Sequence, residues 1–587
     1  MRQGKNRRLA NVKTRRETGL DYVMFRLDLG TPFGKKELKE IQPYYPGEEE
    51  ELRQEFDRIE KMIAFVRQNP VLTDKVREVF MEMKDPTLTV QRSASTVLST
   101  VELFEVKSLL LQMRQLRKLT MEHEIGDYKG CHCVSECTGA DVGDSENTKE
   151  AEAAAAAETD KEAVLTVPEE YFLEDTEDLL DELDPTGDRL NTFYIYNEFS
   201  PLLTELRTKK REFELQIRKE QKQTREELRK KYGVQLTPKF DIVLARSNPD
   251  FERIQAMTEL EVVDQDYMSV TLQLRPTEKI YDIVHQVEAI NAQIDTEEER
   301  IREVLSSKIA EKEKTLLRNC AKIGELDFAL ARASYAMTHA LTKPEIAEEH
   351  VIEFEDGRNI QVEDILREKG KPYCPISLSL KDGVTLITGA NMGGKTISLK
   401  LAGQVPMLAQ YGFFVPAKKA RIGLSNYMQI LIGDSQSVER GLSSFGSEME
   451  ELKEILDKGQ DRSLILIDEI ASGTNPTEGT ALTKSLVDYL IEKPYISLIT
   501  THFESVTERE GIVNMQVRGL ADCNFMLLNR EIQHANRRDR INIISKYMDY
   551  RLYRVENEKQ VPKEALSIAA MLGIDKAIID GAKKYMK

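Results

Sequence analysis

The sequence contains no tryptophan, only six cysteines in 587 residues, and no apolar run approaching the ~18 residues that span a bilayer. Six cysteines in so long a chain give no disulfide framework, and a reducing compartment is the simple interpretation. Neither a membrane helix nor the apolar centre of a secretory signal is present, so a cytoplasmic location is expected. A basic excess is missing too: 101 acids oppose 83 Lys and Arg, for a net charge of −18. Duplex binders gain most of their affinity by neutralising phosphates, so this balance counts against a dedicated DNA-binding protein without excluding one. What remains is 31% charged and 40% hydrophobic residues, the balance of long solvated helices around several cores.

Along the chain, residues 1–19 carry seven basic residues ahead of Glu17 and read as a frayed, solvated tail. Apolar residues at helical spacing in "EEELRQEFDRIEKMIAFVRQ" and "TVLSTVELFEVKSLLLQMRQLRKL" predict the first part of a helical core over 20–137. Within it, Cys131, His132, Cys133 and Cys137 form "CHCVSEC", whose spacing is not that of a standard zinc knuckle, and incidental surface cysteines are the favoured reading. Residues 138–164 are small, acidic and without periodicity, as in a disordered insertion. The helical core continues over 165–200. The stretch 201–336 holds two long apolar stripes that would pair as antiparallel helices, with a small strand-bearing tip at 234–270 between them. Residues 337–370 read as a linker. From 371 to 545 the apolar runs "VTLIT", "YMQILIG", "SLILID" and "ISLIT" alternate with helical segments, which predicts a largely parallel sheet covered on both faces. Residues 546–587 end in two short helices.

The chemistry concentrates in this last region. In "GANMGGKTIS", Gly389, Gly394, Lys395 and Thr396 fit G-x-x-x-x-G-K-[ST] between a predicted strand and a predicted helix. Glycines let successive N–H groups turn toward phosphate oxygens at a helix N-terminus, Lys395 would reach the β and γ phosphates of ATP, and Thr396 would ligate Mg²⁺. "SLILIDEIASGTNPTEG" then delivers Asp468 and Glu469 to a strand end, where Asp468 can hold the hydrated Mg²⁺ and Glu469 can orient or deprotonate the attacking water. "SLITTHFES" repeats that strand-end position with His502, a candidate switch residue near the γ phosphate. Between them, Ser447 and Glu450 fit a capping box.

"LITGANMGGKT", "GLSSFGSEM", "LILIDEIASGTNPTEG" and "TTHF", in this order and spacing, closely resemble the ATPase domain of the MutS family, a branch of the ABC-type ATPases. The resemblance implies a multidomain α plus α/β fold: a helical core with long antiparallel lever helices and a small clamp tip, followed by an ABC-type P-loop α/β ATPase domain and a C-terminal helical dimerisation element. It also implies a dimer, homomeric or with a related subunit, in which the signature serine contacts nucleotide bound by the other subunit. Carried over, that serine is Ser443, supported by Ser444 and Glu448. Asn391 resembles the phosphate-loop asparagine, Gly393 lies in the same loop, and Tyr373 matches the adenine-stacking aromatic more loosely.

Departures from the family shape the functional expectation. There is no room ahead of the helical core for a mismatch-reading domain, and the nuclease domain that ends well-known members of the shortened branch is missing. The tip carries seven acids, Asp241, Asp250, Glu252, Glu259, Glu261, Asp264 and Asp266, against Lys239, Arg246 and Arg253, the wrong sign for gripping a duplex. Short MutS-like proteins of this build resemble the ATPase that reactivates adenosylcobalamin-dependent aminomutases of the lysine 5,6-aminomutase type, so a protein client is the leading expectation. The alternative is a DNA-binding ATPase of mismatch repair or recombination control, supported by the eleven basic residues between Arg207 and Lys231.

Overall fold

The computed structural model describes residues 8–121, 167–389, 394–433, 444–507, 510–520, 523–534, 536, 540–555 and 565–585. The cysteine cluster at Cys131, Cys133 and Cys137 and the acidic stretch 138–164 lie outside these residues. The chain divides into two compact bodies, one made of Met1–Phe80, Ile125–Tyr171 and Gly324–Lys587, the other of Met81–Glu124 and Phe172–Ile323. The helical core expected over 20–137 is therefore split. Leu20, Val23, Leu52 and Phe56 are buried in the same cluster as Leu399, Ala402 and Val405, whereas the helix Thr100–Met121 belongs to the second body.

In the second body the helices Pro201–Tyr232 and Glu278–Glu311 pack along one another. Ser200 explains the register. Its hydroxyl caps the first helix by accepting from Leu203 N–H, and donates at 2.7 Å to Glu297 on the second. Arg207 meets Glu298 at 2.7 Å, so the start of one helix faces the later part of the other and the pair is antiparallel. The apolar stripe expected to continue to 336 is interrupted: the helix ends at Glu311, and a new one runs Glu313–Thr338. Between the long helices lie strands β1 (Asp241–Ala245), β2 (Leu260–Gln265) and β3 (Ser269–Leu274), an antiparallel sheet of order β1-β3-β2. The tip thus extends past the expected limit at 270, because Val270, Leu272 and Leu274 alternate into its small core with Leu228, Leu244 and Leu260.

The first body holds two sheets. Strands β4 (Glu345–Ala347), β5 (Val351–Gly357), β6 (Ile376–Lys381) and β8 (Lys419–Gly423) form one, in the order β4-β8-β5-β6. Residues 337–370 are consequently no linker: they supply β4, β5 and the helix Ile360–Glu368. The other sheet has β7 (Gly383–Thr388), β9 (Tyr427–Ile432), β10 (Ser463–Asp468), β11 (Tyr495–Thr500), β12 (Ile512–Gly519) and β13 (Asp549–Arg554), in the order β13-β12-β7-β11-β10-β9. All neighbours are parallel except β13, which runs antiparallel to β12. The expected boundary at 546 therefore cuts off a strand of the sheet.

Central strands of this sheet are buried along almost their whole length, as parallel strands covered on both faces must be. Leu464 and Leu466 pack with Leu399, Ala402 and Val405 of the helix Lys395–Gln410 on one side. Ile465 and Ile467 pack with Ile455, Leu486, Val487 and Leu490 of the helices Ser444–Lys458 and Pro476–Ile491 on the other. The first of these begins at Ser444, which puts Ser447 inside its first turn rather than at the expected cap. Residues 8–19 depart most from expectation. Leu9 is 1% exposed, and the helix Val12–Glu17 packs on β9, because apolar and small polar positions alternate with the charges there.

The hydrogen bonds from Arg300, chiefly, and from Ser200 hold the Glu297 carboxyl down at about 2, well below its ordinary value of 4.5. A depressed carboxylate stabilises the fold above its unfolded value and loses that contribution as pH falls toward its folded value. Replacing Glu297 by Gln should lower the melting temperature at pH 7, and the difference from wild type should shrink between about pH 4.5 and pH 2. Thermal melts followed by circular dichroism across that range check it.

Candidate functional site

Strands β7, β10 and β11 end on the same side of the sheet, and their last residues bring the site together. Asp468 on β10 is in register with Thr500 on β11. Leaving β7, Gly389 has φ +132° and Gly394 has φ +82°, conformations that side chains resist. Gly394 precedes the helix Lys395–Gln410 in a left-handed conformation, and a Cβ there would stand 2.9 Å from Cδ1 of Tyr550. Glycine is thus required at 394 twice, by backbone and by space.

Lys395 is 3% exposed, and its Nζ donates to Gly389 O at 2.8 Å and lies 2.9 Å from Glu469 Oε1. Thr396 Oγ1 donates to Asp468 Oδ2 at 2.8 Å, and Thr500 Oγ1 donates to Asp468 Oδ1 at 2.6 Å. Both carboxylate oxygens of Asp468 are therefore aimed by hydroxyls. Glu469 adopts φ +45°, which costs roughly 1–2 kcal/mol for a residue with a Cβ. Its N–H is held in that strained position by Thr500, through both the carbonyl at 3.1 Å and Oγ1 at 3.0 Å. Strain at the residue after Asp468 turns the Glu469 carboxylate toward Lys395 and off the strand direction.

Glu448, on the helix Ser444–Lys458, accepts from Ala471 N–H at 3.3 Å and so ties that helix to the turn following Glu469. Burial, chiefly, pushes the Glu448 carboxyl above its ordinary range. His502 follows β11, is exposed, and stacks at a tilt on Phe503 with ring centroids 4.3 Å apart. Among the described residues no hydrogen bond joins it to Lys395, Asp468 or Glu469. The Tyr373 hydroxyl accepts from Asn359 N–H at 3.0 Å, at the start of the helix Ile360–Glu368, and burial pushes it up to about 12. The aromatic ring lying against the glycine turn is that of Tyr550, far away in sequence. Asn391, Gly393 and Ser443 lie outside the described residues, and Ser444 is described only as the first residue of its helix.

Sequence reasoning missed Thr500 and Tyr550. Thr500 stands in the "TTHF" segment, where attention fell on the histidine. For Tyr550 no local pattern exists, since only the pairing of β13 with β12 carries it there. A second constellation, His350 with Asp382 at 2.6 Å and Ser425 at 3.1 Å, has the order of a hydrolase triad. Ser425 is fully buried and its backbone N–H and carbonyl are both bound by the Gln410 side chain, so a substrate has no route to its hydroxyl. It is a structural tie between β8, β9 and the end of the helix Lys395–Gln410.

The donor set suits a magnesium nucleotide. A buried ammonium beside a glycine turn at a helix N-terminus matches phosphate, and a hydroxyl–carboxylate oxygen pair matches Mg²⁺. Thr396 and Asp468 could hold the ion, and Gly394 and Lys395 the phosphates. Among the described residues there is no cluster of three His, Cys, Asp or Glu side chains that would hold a metal without help from a ligand.

The class defined by this sheet is an α/β domain, with five parallel strands and one antiparallel edge strand covered by helices on both faces. Residues 385–587 match the family model of MutS domain V. The chain is 34% identical over 263 residues to "Endonuclease MutS2" of Shouchella clausii (strain KSM-K16), and 33% identical over the same length to proteins of that name from Clostridium botulinum (strain Okra / Type B1) and Halalkalibacterium halodurans. Each match covers 44% of this chain, and the chain spans about a third of the length of these relatives, 32% for the first. The likeness to the MutS family thus lies in its domain V.

Because Thr500 aims Asp468 and anchors the Glu469 turn, Thr500→Val should weaken Mg²⁺-dependent nucleotide binding by about tenfold, in the range expected for residues that orient metal ligands. Titration of a fluorescent ATP analogue at varied Mg²⁺ measures it.

Proposed function

We propose that this protein is a MutS-family ATPase that uses ATP binding and hydrolysis to drive a conformational change upon a client. The observation that carries the reading is the convergence of Lys395, Thr396, Asp468 and Glu469 at one strand edge, with Lys395 and Glu469 at 2.9 Å and Thr396 and Asp468 at 2.8 Å. Lys395 binds the β and γ phosphates, exchanging the Glu469 carboxylate for phosphate oxygens. Thr396 and Asp468 hold the ion. Mg²⁺, when bound, neutralises charge on the phosphates. Glu469, released from Lys395, takes a proton from the attacking water as the bond to the γ phosphorus forms and the bond to the β–γ bridging oxygen breaks. His502 stands at the end of the neighbouring strand as a sensor of the γ phosphate. Ser443, supported by Ser444 and Glu448, acts on nucleotide held by a second copy or a related subunit, in the dimer that the family resemblance implies.

For the client, the acidic tip favours a protein with a basic surface. Its sheet places Asp241, Gln273 and Glu261 in one row and Val243, Thr271 and Asp264 in the next, a face that repels phosphate. None of the relatives named above is an aminomutase reactivase by name, so an adenosylcobalamin-dependent aminomutase is one protein client among others. Duplex or branched DNA is the second reading. It is favoured by the relatives' description as endonucleases and by the basic residues of the helix Pro201–Tyr232, of which Lys209 is already paired with Glu205. No helix among the described residues is long and apolar enough to cross a membrane.

Two outcomes test this reading. Lys395→Ala should abolish ATP binding, whereas Glu469→Gln should bind ATP and turn it over at least about a hundredfold more slowly, as loss of a general base predicts; wild-type turnover by Glu469→Gln would remove Glu469 from its role. Binding to duplex DNA near physiological salt should be weak and without preference for mismatches. Tight binding that falls by about one power of salt per phosphate contacted, and is weakened by neutralising Lys209, Lys210 and Arg211, would assign the client to DNA.

A further inference from the structure

An edge strand leaves backbone groups that must find partners, and β9 is an edge of the six-stranded sheet. Residues 8–17 serve it. Met428 N–H donates to Leu9 O at 2.7 Å, and Ile430 N–H donates to the Thr14 hydroxyl at 3.2 Å, which in turn donates to Gln429 Oε1 at 2.8 Å. Asn11 caps the short helix through Thr14 N–H at 2.7 Å, and Glu17 at its end accepts from Lys400 Nζ at 2.8 Å, on the helix that begins with Lys395. The segment is thereby fixed at both ends.

Lys13 lies at its centre. Its ammonium reaches Ile432 O, the last residue of β9, at 3.4 Å, and both carboxylate oxygens of Glu451 at 2.9 and 2.7 Å. Glu451 stands one helical turn beyond Glu448, on the same face of the helix Ser444–Lys458. Glu448 accepts from the N–H of Ala471, two residues after Glu469. One cation therefore joins a strand end to the helix whose next carboxylate holds the turn carrying Glu469. We propose that Lys13 is a positioning residue for ATP hydrolysis, holding the helix Ser444–Lys458 against β9 so that Glu448 keeps the Glu469 turn in place.

This rests on the reading of Glu469 as the base. A side chain that only added stability would change the melting temperature and leave the chemical step alone. One that sets the position of a reacting group changes kcat, because sub-ångström misplacement weakens the transition state more than it weakens substrate binding. Arginine can span the same carboxylate and carbonyl, whereas exchanging the two charges keeps the ion pair and gives up the bond to Ile432 O.

The experiment measures steady-state ATP hydrolysis by the full chain and by Lys13→Met, Lys13→Arg, Glu451→Gln and the exchange Lys13→Glu with Glu451→Lys, with Glu469→Gln as control. Lys13→Met and Glu451→Gln should each lower kcat by ~3–10-fold with KM for ATP changed less than about twofold, and Lys13→Arg and the exchange should recover at least about half of the loss. Wild-type kcat in Glu451→Gln, or a loss that neither arginine nor the exchange repairs, overturns the proposal, including where Lys13→Met does not fold. If the wild type does not hydrolyse ATP, or Glu469→Gln matches it, the underlying reading of the site falls instead.

Discussion

A buried ammonium is the constraint on which the rest of the site depends. Lys395 is 3% exposed, and burying an ammonium is costly unless an anion lies beside it. Here the anion is Glu469, helped by the carbonyl of Gly389. The pair links the two ends of the site: the glycine turn that begins the helix Lys395–Gln410 and the strained turn at the end of β10. In the function proposed above, nucleotide phosphate and Glu469 would compete for one cation, so that binding of the triphosphate and release of the base would be a single event.

The surrounding fold holds those two turns in place. Strands β10 and β11 are covered on both faces, which leaves Asp468 and Thr500 little freedom along the strand direction. Thr500 spends its hydroxyl on both acids, donating to Asp468 and accepting from the N–H of Glu469. Behind the turn, Glu448 holds Ala471, and the segment that begins at Leu9 braces the helix that carries Glu448. In the other body the same economy of polar groups appears at Ser200, which caps one long helix and grips the other through Glu297.

Strands β7, β10 and β11 were legible as continuous apolar runs because a parallel sheet buried on both faces demands them. The glycine turn and the paired acids stood out in the sequence because phosphate and metal chemistry would restrict the residues that serve it, and the structure brings Lys395, Thr396, Asp468 and Glu469 together. What escaped was set by tertiary pairing. The strand β5, "VIEFEDG", holds too few residues to separate an alternating strand from a linker, and β13 is polar because it is an edge strand. Residues 8–19 looked like a tail on account of their charges, yet Thr14 is buried by bonds to β9 and Lys13 and Glu17 are each paired with distant residues. The break at Lys312 interrupts an apolar stripe that continues beyond it, so periodicity could not reveal it. Tyr373 was matched loosely, through the family resemblance, to an adenine-stacking aromatic, and the ring that meets Gly394, that of Tyr550, arrives from β13.

Competition between Glu469 and phosphate for Lys395 is the central claim, and the affinity for a non-hydrolysable ATP analogue tests it most directly. Calorimetric titration of wild type and Glu469→Gln, at the same Mg²⁺ and salt, should show tighter binding by the variant, since its neutral amide no longer holds the ammonium. Equal or weaker binding by Glu469→Gln would contradict the claim.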